Sequence, residues 1–295
     1  GDGATDHVFG SLVFSGTTFT GFELATWFSQ GSSTPSPSAI KGPDGNVSVV
    51  APEWGNPDFY VDTSTGRPKI GGQTVFGDFN GDNTSDVLFI KQGSTATSID
   101  VGAWLITAGQ VVDNSDYKSI AQNVENFNVF NTNDANGDGT TDIYISRLNS
   151  DGTTTIGIWI MNGGNLQQGI TLPLNAPEGW SPVDTNNFDA VHTHTADILL
   201  TKTNSGGSTD VGVWVLDSTG NVSSYQTIAE NVASKWQILD HNDFNGDGIA
   251  DILIKAENGT ADDEYGFWIL DGNGNIATTA VYAVSDSSGY EFSAT

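Results

Sequence analysis

Three nine-residue stretches repeat one spacing of oxygen-bearing side chains: DFNGDNTSD at 78–86, DANGDGTTD at 134–142 and DFNGDGIAD at 243–251. Carboxylates or an amide recur at positions 1, 3, 5 and 9. A tight loop can turn those oxygens inward around one hard cation, and the main-chain carbonyl at position 7 adds another. Calcium takes six to eight oxygens at about 2.3–2.6 Å and tolerates such an irregular shell better than magnesium does. Glycine at position 4, and at position 6 in two loops, supplies the backbone freedom the turn needs. The predicted ligands are Asp78, Asn80, Asp82, the Thr84 carbonyl and Asp86 in the first loop. In the second they are Asp134, Asn136, Asp138, the Thr140 carbonyl and Asp142, and in the last Asp243, Asn245, Asp247, the Ile249 carbonyl and Asp251. The competing reading is an Asx-rich hairpin with no metal. Three loops with three carboxylates each would be strongly self-repelling if empty, so about three calcium ions are expected.

A fourth copy has decayed. In WSPVDTNNFDAVHTHTAD, counting back from Asp197 puts position 1 at Asp189. Counting seven forward from Trp180 puts it at Asn187, which also aligns Phe188 with Phe79 and Phe244. The second register makes Asn187 and Asp189 the remnants of positions 1 and 3 and lengthens the loop by two residues. The position-5 carboxylate is lost, and His192 and His194 enter instead. A polar tip that no longer binds calcium is the expectation. An H-x-H pair can also bind zinc or copper, completed by His241, Asp189 or Asp240, or supply a catalytic histidine.

Each loop must sit on a scaffold that repeats with it. A short apolar run follows every loop (VLFI, IYIS, ILIK), and a tryptophan follows each final loop Asp by 17 or 18 residues: Trp104, Trp159, Trp214 and Trp268. An Asn/Asp-Gly turn and an alternating run come next, then an aromatic seven residues before the following loop (Phe127, Trp180, Trp236). Helical periodicity is absent, and the runs are rich in β-branched and aromatic residues. Each unit of about 55 residues therefore reads as four strands, the period of a β-propeller blade. A single such unit cannot bury both its faces alone. The repeated Trp residues read as core, with Gly102, Gly157 and Gly212 allowing close approach; one sugar-stacking platform per blade is the rival.

Gly1 to Asp6 reads as the end of a fifth copy, with Asp6 at the last loop position and Trp27 on the Trp strand. The fold expected is all-β: a single domain over 1–295, a five-bladed β-propeller of four-stranded blades. Its ring would be closed by pairing of the N- and C-terminal strands, Tyr290 taking the aromatic position of the missing first strand. The longer first spacing implies an insertion at about 29–72, whose Pro and Gly content suits an ordered excursion.

The pattern of an aromatic strand, DFNGDG, DIL and then GxW resembles the FG-GAP/VCBS repeat family, the calcium-loop propellers of integrin α-subunits and many bacterial secreted proteins. The likeness spans nearly the whole chain outside the insertion. It implies a calcium-bound propeller and points to a set of functions that runs from adhesins and lectins to accessory domains and some polysaccharide lyases.

Composition narrows these. The chain has 295 residues, 9 Lys+Arg against 36 Asp+Glu, a formal charge of −27 and no cysteine. A nucleic-acid binder needs a basic footprint that is absent here. No apolar run approaches the roughly 18 residues of a membrane span. High Asp, Asn, Gly, Ser and Thr without Cys suits a secreted, extracellular monomer, and the lack of an initiator Met suits a processed product. No nucleophile elbow, P-loop or dinucleotide fingerprint occurs. The insertion carries Trp54, Asp58, Tyr60 and Arg67, aromatics beside charged groups that suit glycan stacking and hydroxyl bonding. The leading expectation is a calcium-stabilised recognition module, adhesin-like or lectin-like, binding a glycan or an extracellular protein without catalysis. A polysaccharide-degrading lyase or hydrolase and a purely structural scaffold are the alternatives.

Overall fold

The repeat appears in the computed structural model as a succession of antiparallel sheets. The structure describes residues 76–90, 93–106, 118–192, 195–256 and 264–282, together with the strand backbones of 7–15, 18–28, 36–39, 49–50, 59–62, 67–70, 91–92, 117, 262–263 and 283–285. Gly1 to Asp6 and residues 286–295, on which the expected ring closure falls, lie outside the described residues, as do Trp54, Asp58 and His194. All described elements are strands, and no helix among these residues is long and apolar enough to cross a membrane.

The first sheet contains β1 (His7–Ser15), β2 (Thr18–Phe28), β3 (Ser36–Ala39) and β4 (Val49–Val50). β1 pairs with β2 along its length, placing Trp27 opposite His7, and both β3 and β4 pair with β2. The strand expected after Trp27 is thus split into two short pieces, both drawn from the segment expected as an insertion. Within the same segment β5 (Phe59–Asp62) pairs with β6 (Arg67–Ile70), Tyr60 opposite Lys69 and Arg67 opposite Asp62.

The next four sheets are up-and-down meanders of four strands each. They comprise β7 (Phe76–Gly77), β8 (Asp86–Gln92), β9 (Ser98–Trp104) and β10 (Tyr117–Glu125); β11 (Asn128–Asn133), β12 (Asp142–Leu148), β13 (Thr154–Asn162) and β14 (Asn165–Thr171). Then follow β15 (Trp180–Asn186), β16 (Asp197–Thr203), β17 (Thr209–Leu216) and β18 (Val222–Val232), and β19 (Trp236–Asn242), β20 (Asp251–Ala256), β21 (Asp262–Leu270) and β22 (Ile276–Ser285). The chain divides into two compact units. One holds Gly1–Thr132, Gly139–Ile143 and Trp159–Gly169; the other holds Asn133–Asp138, Tyr144–Ile158 and Ile170–Thr295.

Burial explains the apolar runs. The first four residues of β12, β16 and β20 are buried on both faces, as sheets covered on both sides require. The last strands β14 and β18 carry only exposed and half-buried positions, as sheet edges facing water do. In the second unit Phe188, Leu199, Val213 and Val215 of the fourth sheet form one core with Ile249, Ile252, Trp268 and Leu270 of the fifth. Three of the repeated tryptophans belong to the core: Trp159, Trp214 and Trp268 are 7–8% exposed, which leaves no face for a sugar, while Trp104 is half-buried.

The glycine two residues before Trp159, Trp214 and Trp268 is a close approach. A Cβ on Gly212 would lie 2.9 Å from the Gln226 carbonyl oxygen and 3.3 Å from the Trp180 ring; on Gly266 it would meet Ile254 at 2.8 Å and the Trp236 ring at 3.6 Å. In these two sheets the aromatic that opens the meander thus lies over the glycine of its third strand.

Candidate metal centres

Each loop is built the same way. Asp78 Oδ1 accepts the N–H groups of Gly81 (2.7 Å) and Asp82 (3.0 Å), and its Oδ2 that of Asn83 (2.7 Å). Asp243 does the same with Gly246, Asp247 and Gly248, and Asp134 Oδ1 accepts from Asn136, Gly137 and Asp138. Wrapping the backbone around one carboxylate needs left-handed residues. Position 4 has φ of 77–83° at Gly81, Gly137 and Gly246, and position 6 has 63° at Asn83 and 85° at Gly139 and Gly248. No described atom lies within 4 Å of a Cβ built on Gly139, Gly246 or Gly248, so conformation rather than space selects glycine there.

The position-9 carboxylate is placed differently. Asp86, Asp142, Asp197 and Asp251 are fully buried. Asp86 accepts the Phe79 N–H (2.9 Å) on Oδ2 and the Ile106 N–H (2.7 Å) on Oδ1. Asp251 repeats this with Phe244 (3.1 Å) and Leu270 (2.8 Å), and Asp142 Oδ1 accepts from Met161 (2.8 Å). One carboxylate thereby ties its loop to the end of the Trp strand. Neither Asp86 nor Asp251 pairs with a Lys or Arg among the described residues. Burial pushes Asp86 up to about 7 and raises Asp251, against the N–H groups that favour their anions. Asp243, at the exposed end of the same loop as Asp251, is held below the ordinary range, the Gly248 N–H contributing most.

The donor chemistry suits a hard cation, since every side-chain donor set is carboxylate or amide oxygen. Each loop as it stands is nonetheless closed by its own hydrogen bonds. The position-3 Oδ1 accepts the position-5 N–H at 2.8–3.0 Å. The position-3 amide nitrogen donates to the position-5 carboxylate, at 3.3 Å for Asn80–Asp82, 3.0 Å for Asn136–Asp138 and 2.9 Å for Asn245–Asp247. Among the described residues no three His, Cys, Asp or Glu side chains converge as a metal-holding group.

The decayed loop follows the Asn187 register. Asp197 Oδ2 accepts from Phe188 (2.8 Å) and Oδ1 from Leu216 (2.8 Å), the places that Phe79 and Ile106 take at Asp86. Burial raises Asp197 to about 7 as well. Asp189 now organises the turn: its Oδ1 accepts from Val191 and His192, and its Oδ2 lies 2.9 Å from His192 Nδ1. The imidazole occupies the carboxylate that a cation would need. Asn187 sends its Nδ2 to the Gly248 carbonyl of the neighbouring loop (2.8 Å), while its buried Oδ1 has no hydrogen-bond partner among the described residues. His241 joins neither Asp189 nor His192. Its Nε2 is 2.7 Å from Asp184 Oδ2 and its Nδ1 3.1 Å from Asn186 Nδ2, which engages both ring nitrogens. The Asp240 carboxylate accepts the His241 N–H (2.8 Å).

A second repeated motif was not anticipated from the sequence. Before the loops at 134–142, 187–197 and 243–251, alternate Asx side chains accept the N–H of the following residue: Asn131 and Asn133, Asp184 and Asn186, Asp240 and Asn242. These strands open their sheets and expose an edge, and the Asx oxygens satisfy N–H groups that no ladder reaches. The signal was present as NTND, DTNN and DHND.

Links between successive sheets repeat too. Thr132 Oγ1 donates to the Phe76 carbonyl (3.1 Å), Asn133 Nδ2 to that of Thr185 (3.1 Å) and Asn186 Nδ2 to that of His241 (3.3 Å). At the loops, the N–H groups of Thr141, Ala196 and Ala250 reach the carbonyls of Asp78, Asp134 and Asn187 at 2.7–2.8 Å.

No family model and no curated protein matches the chain. Among solved structures, the crystal structure of AofleA from Arthrobotrys oligospora is similar over 90% of this chain and 81% of its own, with 10% identity and a TM-score of 0.41. A triple arginine-to-alanine mutant of that protein covers 95% and 90% at 11% identity and the same TM-score. Neither likeness assigns the chain to a family.

Proposed function

We propose that the chain is a five-bladed, calcium-stabilised β-propeller of the FG-GAP/VCBS type, acting outside the cell as a non-enzymatic recognition module for a glycan or a partner protein. The observation that carries the calcium reading is the buried position-9 carboxylate. In the first and last loops it sits among oxygen donors with two N–H groups and, among the described residues, no basic side chain, so a divalent cation is the partner its charge lacks. Sheet-to-sheet links that repeat at one strand and one loop position support the propeller. Calcium would hold the loop ends rigid, and the hairpin bearing Tyr60 and Arg67 supplies positions for ligand contact.

One observation favours a second reading. The Asp189–His192 pair orients an imidazole as a carboxylate orients a general base, which suits a polysaccharide-degrading enzyme. A glycan array with calcium present, followed by product analysis on every bound glycan, separates the two. Binding without cleavage is the expected result. Oligosaccharide release that His192→Ala abolishes would replace the module with an enzyme.

A further inference from the structure

Asn-Gly is a chemically labile pair, because a glycine N–H unshielded by a side chain can attack the preceding carboxamide. The described residues hold five: Asn80–Gly81, Asn136–Gly137, Asn162–Gly163, Asn245–Gly246 and Asn273–Gly274. The fold treats them unequally. In the three loops the glycine N–H is tied to the position-1 carboxylate, at 2.7 Å for Gly81 and Gly137 and 2.6 Å for Gly246. Both ends of each loop amide are engaged as well, Oδ1 by the position-5 N–H and Nδ2 by the position-5 carboxylate. In the last hairpin the Gly274 N–H donates to the Asp271 carbonyl (2.9 Å) and the Asn273 N–H to the Asp271 carboxylate (2.9 Å). Asn162 stands apart. It ends β13 exposed, and neither its side-chain amide nor the Gly163 N–H has a hydrogen-bond partner among the described residues. Gly163 and Gly164 have φ of 55° and 76°, and no described atom lies within 4 Å of a Cβ built on Gly163, so the turn has room for the rotation that attack requires.

We propose that Asn162–Gly163 is the described pair at which the folded chain deamidates spontaneously, the other pairs being locked by their hydrogen bonds. The Gly163 nitrogen gives its proton to hydroxide and bonds to Asn162 Cγ. The Cγ–Nδ2 bond breaks, and Nδ2 leaves as ammonia with a proton from water. Water then opens the cyclic imide at either carbonyl, leaving aspartate or isoaspartate; the net change is uptake of water and loss of ammonia. The isoaspartyl product routes the main chain through the former side chain and adds a methylene two residues before Gly164. The Gly164 N–H donates to the Phe79 carbonyl at 2.8 Å, and a Cβ on Gly164 would lie 2.6 Å from Leu105 Cδ1, so the lengthened hairpin must shift its seat on the first loop. The inference is independent of calcium and of any ligand.

Ageing the full, chelated chain at mildly alkaline pH tests it, at a temperature where circular dichroism shows it folded, with peptides read by chromatography and mass spectrometry. Asn162 should deamidate at least about tenfold faster than any other described pair, since attack in those must first break a hydrogen bond, in the loops one to a charged acceptor. In urea all the pairs should react at comparable rates. Asn162→Ser should remove the fast phase of ammonia release without changing the melt. Asn162 reacting no faster than the loop asparagines in the folded chain overturns the proposal. A preference for Asn162 that persists in urea belongs to the local sequence and overturns the lock.

Discussion

Asp86 and its equivalents hold the tension of the molecule in one side chain. Asp86 itself, with no exposed surface, receives two main-chain N–H groups and, among the described residues, pairs with no Lys or Arg. Asp86→Ala would strand the Phe79 and Ile106 N–H groups in the core, a cost of about 1–3 kcal/mol for each buried group left unsatisfied. It should lower the melting temperature with or without calcium. Asp82→Ala removes an exposed loop residue instead, so it should reduce the calcium-induced gain while leaving the chelated protein nearly unchanged; thermal melts of both variants in calcium and in EDTA check this. The pH dependence has a definite sign. Asp86 and Asp197 rise from 3.8 to about 7 on folding, so between these values the folded, metal-free chain binds more protons than the unfolded one. Their contribution is present in full below 3.8 and is lost as pH climbs to about 7. Asp243, depressed, acts oppositely and only below its ordinary range. Chelated protein should therefore melt higher at about pH 5 than at about pH 7.5, and calcium should shrink the difference; a melt that rises with pH in EDTA would contradict this.

At the scale of the element, the chain's punctuation made most of the structure legible. Among the described residues the loops, the runs after them and the GxW strands fall where the spacing places them, and the count from Trp180, with Phe188 aligned on Phe79 and Phe244, gives the register of the decayed loop. Gly212 shows why that spacing is rigid. Its missing Cβ leaves room for the Gln226 carbonyl and the Trp180 ring, a backbone atom and an aromatic that cannot both give way. Gly212→Ala should cost about 1–3 kcal/mol of overpacking, read as a lower urea midpoint with an unchanged slope. Contacts made across sheets were not legible. The pairing of His241 with Asp184 joins β15 to β19 over more than fifty residues, and no local pattern announces it. The Asx capping of the opening strands was written in the sequence, but its meaning depends on those strands being edges. The split of the first sheet's outer strand into β3 and β4 falls in a Pro- and Gly-rich stretch whose composition resembled an excursion.

Over the whole molecule, a formal charge of −27 sets the condition for stability. Self-repulsion of that size opposes a compact state unless cations are bound, and the loops concentrate it at one repeated position. Calcium bound only by the folded chain would then raise stability by mass action. The direct measurement is calorimetric melting of the exhaustively chelated protein, with calcium returned in steps and bound metal counted at saturation. Uptake of about three ions, with a melting temperature that climbs by many degrees as they bind, is the predicted result. A melt that is the same in EDTA and in millimolar calcium would contradict it and leave the loops as hairpins held by their own hydrogen bonds.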